Sequence, residues 1–404
     1  MNSSQNISTN TKSTRFLHAS DLHFGSKQYQ NPLLADDHLF AFQQILTLAI
    51  DRQVDFIILG GDIFTSQDLL PNQMEQIIDI LSDFKQRTNE KIPIIAIEGN
   101  HDIRRYSHGN QIPRRQSWLR ILNKLGMLIL LDADLENQPE QRFSIFDPIL
   151  RKGGKVIIKN CVIYGSSYLG KQLPKKIHLI REGINDQDGM FHILLQHFGI
   201  QGQMKGVPGQ SLHRVSCLRD RVDYLGLGHY HLGYSLQGWI FNPGCAQAVS
   251  AGENTFQKGV FYGEISGSKG IFRQKISLIK LKNRPIEWIT VFFSKSYQSM
   301  SEIYAQINHE IIRQNPFLIQ KNDQILKNSR SLPVLYIVFK GNPPSRLIDF
   351  EDKPLREWFL SHLDIIDVKI YRKFIKSTRT LETYASQQTY KKPQRLEQYM
   401  IKNR

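Results

Sequence analysis

Phe56-Ile57-Ile58-Leu59-Gly60-Gly61-Asp62 is the stretch from which the fold is read. Four consecutive apolar residues, two of them β-branched, predict a short strand buried on both faces. The glycine pair lets the backbone turn sharply and approach its neighbours closely, which puts Asp62 where the strand gives way to a loop. The same plan, an apolar run closed by a polar motif, recurs four times: Asp21-Leu22-His23, Gly99-Asn100-His101-Asp102, Gln196-His197 and Gly228-His229-Tyr230-His231. Loops at one edge of a sheet are where α/β proteins gather their ligands. Five such motifs, in this order and with these residue types, point to a two-metal site for phosphate-ester chemistry.

The chemistry accounts for the residue types. Two divalent cations about 3.5–4 Å apart clamp the attacking and leaving oxygens of an in-line displacement at phosphorus. Neutral imidazoles with few carboxylates leave net positive charge to meet the phosphate. Asp62 is the natural bridging ligand, because the two oxygens of a carboxylate can face different metals. Asp21 and His23 are two residues apart, as are His229 and His231, so each pair shares one side of an extended segment. Mixed oxygen and nitrogen donors suit Mn²⁺, Fe or Zn²⁺ better than Mg²⁺.

These motifs resemble the calcineurin-like metallophosphoesterase superfamily. Their wider context resembles the SbcD family, the nuclease subunit of a complex that processes DNA double-strand breaks. That context comprises Phe16-Leu17-His18-Ala19-Ser20-Asp21-Leu22-His23-Phe24-Gly25, Leu59-Gly60-Gly61-Asp62-Ile63-Phe64 and Ala96-Ile97-Glu98-Gly99-Asn100-His101-Asp102. It continues in Leu194-Leu195-Gln196-His197-Phe198-Gly199, in 223–231 and in Asn242-Pro243-Gly244, covering 15–280 well and the next hundred residues loosely.

The resemblance implies an α/β fold, a β-sandwich flanked by helices (αββα layers), with a small C-terminal α/β capping domain. It also implies a DNA exonuclease, with endonuclease capacity, using two divalent metal ions per subunit, Mn²⁺ being the expected metal. One metal would be held by Asp21, His23, Asp62 and His231, the other by Asp62, Asn100, His197 and His229. A metal-bound hydroxide would attack the phosphodiester and His101 would assist the leaving oxygen, a task suited to an imidazole. Asp102 could orient His101 or cap a loop. The implied partners are DNA, an SbcC-type coiled-coil ATPase and a second copy of the chain, without a membrane. One departure is Thr65, where many family members carry a second histidine.

The composition agrees with a protein that handles polyanions. The 404 residues carry 52 Lys+Arg against 37 Asp+Glu, a net charge of +15. Such a balance favours phosphate backbones, with the usual salt dependence. Cys161, Cys217 and Cys245 are odd in number and form no CxxC, so a reducing compartment is expected. The N-terminus lacks the apolar core of a signal peptide and no apolar run reaches membrane-spanning length, so the cytoplasm or nucleoid is expected. Without a GxxxxGK[ST] motif, any ATP-driven step would belong to another chain. Two other readings stay open: a phosphodiesterase or phosphatase for a small molecule or nucleotide, and a non-catalytic repair scaffold.

Along the chain, 1–14 reads as a disordered tail, 15–283 as the nuclease domain, 284–373 as the capping domain and 374–404 as a basic segment for the ATPase. A first strand is expected over 15–20, a helix capped by Asp36, and a second helix opened by Pro71 with Met74, Ile77, Ile78, Leu81 and Phe84 on its apolar face. Strands are also expected near 156–164, 191–196, 224–227, 234–241 and 259–265, the later ones close together and therefore richer in antiparallel pairing. The capping domain reads as strand, helix, strand, helix, strand. His18 and His192 lie in apolar runs and read as packing residues, whereas His38 shows no partner pattern and reads as an ordinary polar position. Arg104, Arg105, Arg114 and Arg115 follow the Gly99–Asp102 loop and are candidate DNA-backbone contacts. Lys321, Lys327, Arg330 and Arg346 are further candidates in the capping domain.

Overall fold

The computed structural model describes residues 13–26, 31–66, 68–103, 116–185, 188–319, 331–345 and 350–375. The chain forms two compact units, Met1–Asn283 and Arg284–Arg404. The first unit runs β1 (Thr14–Ala19), α1 (Pro32–Asp51), β2 (Phe56–Leu59), α2 (Pro71–Thr88), β3 (Ile94–Ala96), α3 (Trp118–Lys124), β4 (Ile129–Leu130) and α4 (Pro139–Arg142). It continues with β5 (Lys155–Ile158), β6 (Cys161–Gly165), α5 (Leu173–Gly183), β7 (Phe191–His197), α6 (Leu212–Val215), β8 (Tyr224–Gly228), β9 (Tyr234–Leu236), β10 (Ile240–Asn242), β11 (Gly259–Ser268) and β12 (Ile271–Lys280).

Two six-stranded sheets result, ordered β12-β11-β1-β2-β3-β4 and β5-β6-β7-β8-β10-β9. Side-chain alternation along each strand assigns the layers. Phe16, Phe56, Ile58 and Ile95 of the first sheet meet Ile163, Phe191, Ile193 and Tyr224 of the second in one buried cluster. The intervening Leu17, Ile57, Leu59 and Ala96 face α1 and α2, packing with Phe42, Ile45, Ile77 and Leu81. On the far side Val162, Leu194 and Leu225 pack with Ile177 and Ile180 of α5. Four layers, helix–sheet–sheet–helix, are the expected αββα sandwich.

Helix α2 starts at Pro71 and buries Met74, Ile77, Leu81 and Phe84. Helix α1 begins at Pro32, ahead of Asp36, which lies inside it and is exposed. Proline at a first helical position needs no N–H partner there, so it starts the helix and leaves Asp36 no capping role. The expected strand over 156–164 is a hairpin broken at Lys159, and the one over 234–241 turns through Gln237 and Gly238, all three left-handed. Among the described strands of this unit, antiparallel pairs are the β5/β6 and β9/β10 hairpins and β11 with its neighbours, whereas β6, β7, β8 and β10 pair in parallel. Strand β1 includes Thr14, within the stretch read as a tail.

The second unit holds a parallel three-stranded sheet, β13 (Ile286–Phe293), β14 (Val334–Gly341) and β15 (Asp367–Phe374), with α7 (Met300–Gln314) and α8 (Asp352–His362). Its core joins Ile289, Val291, Leu335, Ile337 and Val368 to Ile303, Ile307, Leu355 and Phe359 of the helices.

Candidate metal centre

Strands β1, β2, β3, β7 and β8 all end at one edge of the sandwich, and their first loop residues hold the site. Asp21, His23, Asp62 and His229 all have left-handed backbones, with φ of 53°, 49°, 51° and 87°. Such conformations are uncommon for residues with a Cβ and persist where surrounding contacts over-determine them. Here those contacts are backbone hydrogen bonds between the loops. The Asp21 amide donates to the Gly61 carbonyl (3.0 Å), His23 to Asp62 (3.1 Å) and Phe24 to Ile63 (2.8 Å). Across the sandwich, the His229 amide donates to both Asp21 carboxylate oxygens at 3.2 and 3.1 Å.

Glycine is needed at two contacts. A Cβ on Gly61 would stand 2.6 Å from His197 Nδ1, and one on Gly99 would overlap the Asp62 carboxylate.

Two three-residue clusters, each with its potential donor atoms mutually within 4.8 Å, face one another at this edge, Asp21/His23/His231 and Asp62/His197/His229, and a third, His231/Cys245/Glu253, shares His231. His23 Nε2 and His231 Nε2 face one another at 3.0 Å. His197 Nε2 lies 3.1 Å from Asp62 Oδ2, while its Nδ1–H donates to the Gly60 carbonyl at 2.7 Å. That second bond fixes the ring so that Nε2 faces the cluster. Asn100 Oδ1 is buried without a hydrogen-bond partner. An orphaned buried acceptor beside two carboxylates is what a pair of divalent cations would satisfy, so the residues fit such a pair. Burial holds the His23 and His229 imidazoles down, at about 3 and about 4, in the neutral form a metal requires. Burial also pushes His197 down, but the Asp62 carboxylate outweighs it and raises the imidazole above its ordinary value. Asp62 is held below the usual carboxylate range by His197, against the effect of its own burial.

His101 is exposed beside this centre, its ring 5.2 Å from that of His23. Its Nδ1–H donates to the Thr65 carbonyl at 2.8 Å and its amide donates to Asp62 Oδ1 at 2.7 Å. Thr65 in turn donates its hydroxyl to the His23 carbonyl (2.9 Å), so this departure from the family pattern ties two site loops together. Asp102 is buried and accepts from the amides of Phe64 (2.9 Å) and Gly99 (2.8 Å), which makes it a brace between the two loops. Arg104, Arg105, Arg114 and Arg115 lie outside the described residues, as do Lys321, Lys327, Arg330 and Arg346.

Three supporting residues carry no motif. Glu253 Oε1 accepts from His231 Nδ1–H at 3.0 Å and is itself held by the Val249 amide and the Ser250 hydroxyl, both at 2.8 Å. Burial raises the Glu253 carboxyl, but His231 outweighs it and brings the group down to about 2. His38, read as an ordinary polar position, is buried and donates Nδ1–H to the Leu22 carbonyl at 2.8 Å, between the candidate ligands Asp21 and His23. Tyr168 sets its ring 5.8 Å from His197 and 6.2 Å from His229. His18 and His192 are buried packing residues, His18 Nδ1 lying 2.9 Å from the Tyr224 hydroxyl.

Fold and site together define a metal-dependent phosphoesterase. The chain belongs to the calcineurin-like phosphoesterase family, whose model matches residues 14–233. It is 29% identical over 171 residues to the DNA double-strand break repair protein Mre11 of Archaeoglobus fulgidus, a match spanning 41% of this chain and 35% of that protein. It is 24% identical over 367 residues to the Saccharolobus solfataricus protein of the same name, spanning 91% of this chain and 83% of that one. The crystal structure of a dimetal phosphatase from Danio rerio aligns with 65% of this chain and 98% of its own at a TM-score of 0.37 and 9% identity. Among the described residues, no helix is long and apolar enough to cross a membrane.

Proposed function

We propose that this protein is a two-metal DNA nuclease, an exonuclease with endonuclease capacity, that trims double-strand-break ends using Mn²⁺. The observation that carries this reading is the meeting of two His/Asp clusters, each drawing residues from both sheets, with His101 tethered beside them. Likeness to a DNA repair protein over 91% of the chain directs the choice of substrate.

When bound, the two ions supply Lewis acidity and charge for in-line displacement at phosphorus. Asp62, whose charge acts on both His23 and His197, would help to hold them, together with the residues of the two clusters. His101 has Nδ1 engaged by Thr65, so its Nε2 is the atom that gives a proton to, or steadies, the departing 3′ oxygen. Arg104, Arg105, Arg114 and Arg115 are proposed to hold the DNA backbone, 284–373 to cap the site, and 374–404 to engage an SbcC-type ATPase in a homodimeric, nucleoid-associated assembly.

The test is Mn²⁺-dependent cleavage of end-labelled duplex and hairpin DNA by the purified protein and by His101→Ala. Cleavage that falls by about 10²–10⁴-fold in the variant, with both metals retained, supports the reading. Hydrolysis of a small aryl phosphodiester without DNA cleavage transfers the enzyme to small substrates. Failure on both, with no metal bound, leaves a scaffold.

A further inference from the structure

His231 presents its two ring nitrogens to two different places. Its Nε2 faces His23 in the centre described above, while its Nδ1 points toward the loop between β10 and β11. There Nδ1 meets Glu253 Oε1 at 3.0 Å, and the other oxygen of that carboxylate lies 3.6 Å from the Cys245 sulfur. Imidazole, thiol and carboxylate thus converge, with one potential donor atom from each within 4.8 Å of the others. Of the three clusters at this edge, this is the one that contains sulfur.

The spacing is that of ligands on one ion. Tetrahedral Zn²⁺ holds sulfur at about 2.3 Å and nitrogen or oxygen at about 2.0–2.2 Å, which sets neighbouring donors roughly 3.3–3.6 Å apart. Glu253 and Cys245 have that separation, and Glu253 and His231 are slightly closer because a proton joins them. A thiolate with an imidazole and a carboxylate suits Zn²⁺ better than the harder Mn²⁺. The side chains of His231 and Glu253 are 18% and 12% exposed, which gives an ion a way in from solvent.

A second observation points the same way. Lys258 is buried, and its ammonium donates to the Cys245 sulfur at 3.0 Å. Among the described residues no other hydrogen-bond acceptor meets that nitrogen. A buried ammonium is costly unless an anion faces it, and a neutral thiol is only a weak acceptor. A thiol that coordinates a cation gives up its proton, so metal binding would set an anionic sulfur against Lys258.

We infer that His231 Nδ1, Cys245 and Glu253 form a third metal site, for a thiophilic divalent cation of the Zn²⁺ class. Binding displaces two protons to solvent, one from Nδ1 and one from the sulfur, and links this ion to the neighbouring centre through a single imidazole ring. The inference goes beyond the nuclease reading and does not rest on it, since the test is metal binding with no substrate present.

The experiment titrates the metal-free full chain with Cd²⁺, which occupies Zn²⁺ sites and reports a bound thiolate by sulfur-to-cadmium charge-transfer absorption in the ultraviolet. Every protein compared carries Cys217→Ser, because that thiol is exposed. The parent is expected to show a saturable band that Zn²⁺ competes away and Mn²⁺ at the same concentration does not. Cys245→Ser is expected to abolish the band and to lower the Zn²⁺ content by one ion per chain. Glu253→Gln is expected to keep the band and to weaken the ion that gives it by about tenfold or more. Near-UV circular dichroism checks that each variant is folded. A parent without a band overturns the proposal whatever the variants do. A band that survives Cys245→Ser, or one whose affinity ignores Glu253→Gln, overturns it as well.

Discussion

Glu253 accepts a hydrogen bond from His231 Nδ1 at 3.0 Å, on the far side of the ring from the nitrogen that faces His23. A carboxylate on the outer nitrogen of a ligand histidine fixes its tautomer and raises its basicity. Glu253→Gln is therefore expected to weaken one of the two metal ions by about 10–100-fold while the other is retained. Calorimetric titration of the metal-free protein with Mn²⁺ checks this.

Gly99→Ala tests how tightly the loops are packed. The added methyl would overlap the Asp62 carboxylate, and backbone atoms leave it nowhere to move. Overpacking of this kind costs about 1–3 kcal/mol. The expected outcome is a folded protein, by circular dichroism, with a lowered midpoint and deficient metal content by elemental analysis.

Removing the Tyr224 hydroxyl probes the seam between the sheets. It lies 2.9 Å from His18 Nδ1, and both residues are fully buried. Tyr224→Phe leaves that nitrogen without its partner, at a cost of about 1–3 kcal/mol in urea unfolding. Metal stoichiometry should stay at the wild-type value, because neither side chain reaches the centre.

In chelator, the Asp62–His197 pair makes stability depend on pH in a defined direction. His197 is raised above its ordinary 6.5, so its contribution is fully present below that value and is lost as pH climbs through the folded value above it. Asp62 is lowered below its ordinary 3.8, so its contribution is present above that value and lost as pH falls through the folded one. Melting temperatures of the metal-free protein should therefore decline on the alkaline side. Saturating Mn²⁺ should abolish the alkaline decline, since the ions take the proton's place on His197.

Much of the first unit was legible because strand and ligand are adjacent in sequence. Apolar runs such as Phe56–Leu59 announce strands, and a polar residue directly after each lands at the sheet edge. Strand β12 escaped notice because it lies at a sheet edge and is half exposed, with Arg273 and Lys275 interrupting its apolar pattern. His38 had a usable signal: it falls on the helical stripe of Leu34, Ala41, Phe42 and Ile45, all buried. Glu253 had a weaker one, the Ser250-x-x-Glu253 spacing that marks a turn but says nothing of what the carboxylate faces. The left-handed backbones of Asp21, His23, Asp62 and His229 could not be read at all. Only assembled neighbours hold an aspartate or a histidine there.

The candidate ligands run from Asp21 to His231 and, with Asn100, come from the ends of five strands in two sheets. No short peptide within the chain therefore resembles the finished centre. During synthesis the last ligand leaves the ribosome more than two hundred residues after the first, and the cluster closes only when both sheets have met. A centre divided between two sheets would hold metal only once they are joined, so metal content would report on assembly. A truncated or misassembled copy has no complete cluster to fill, so it cannot be armed.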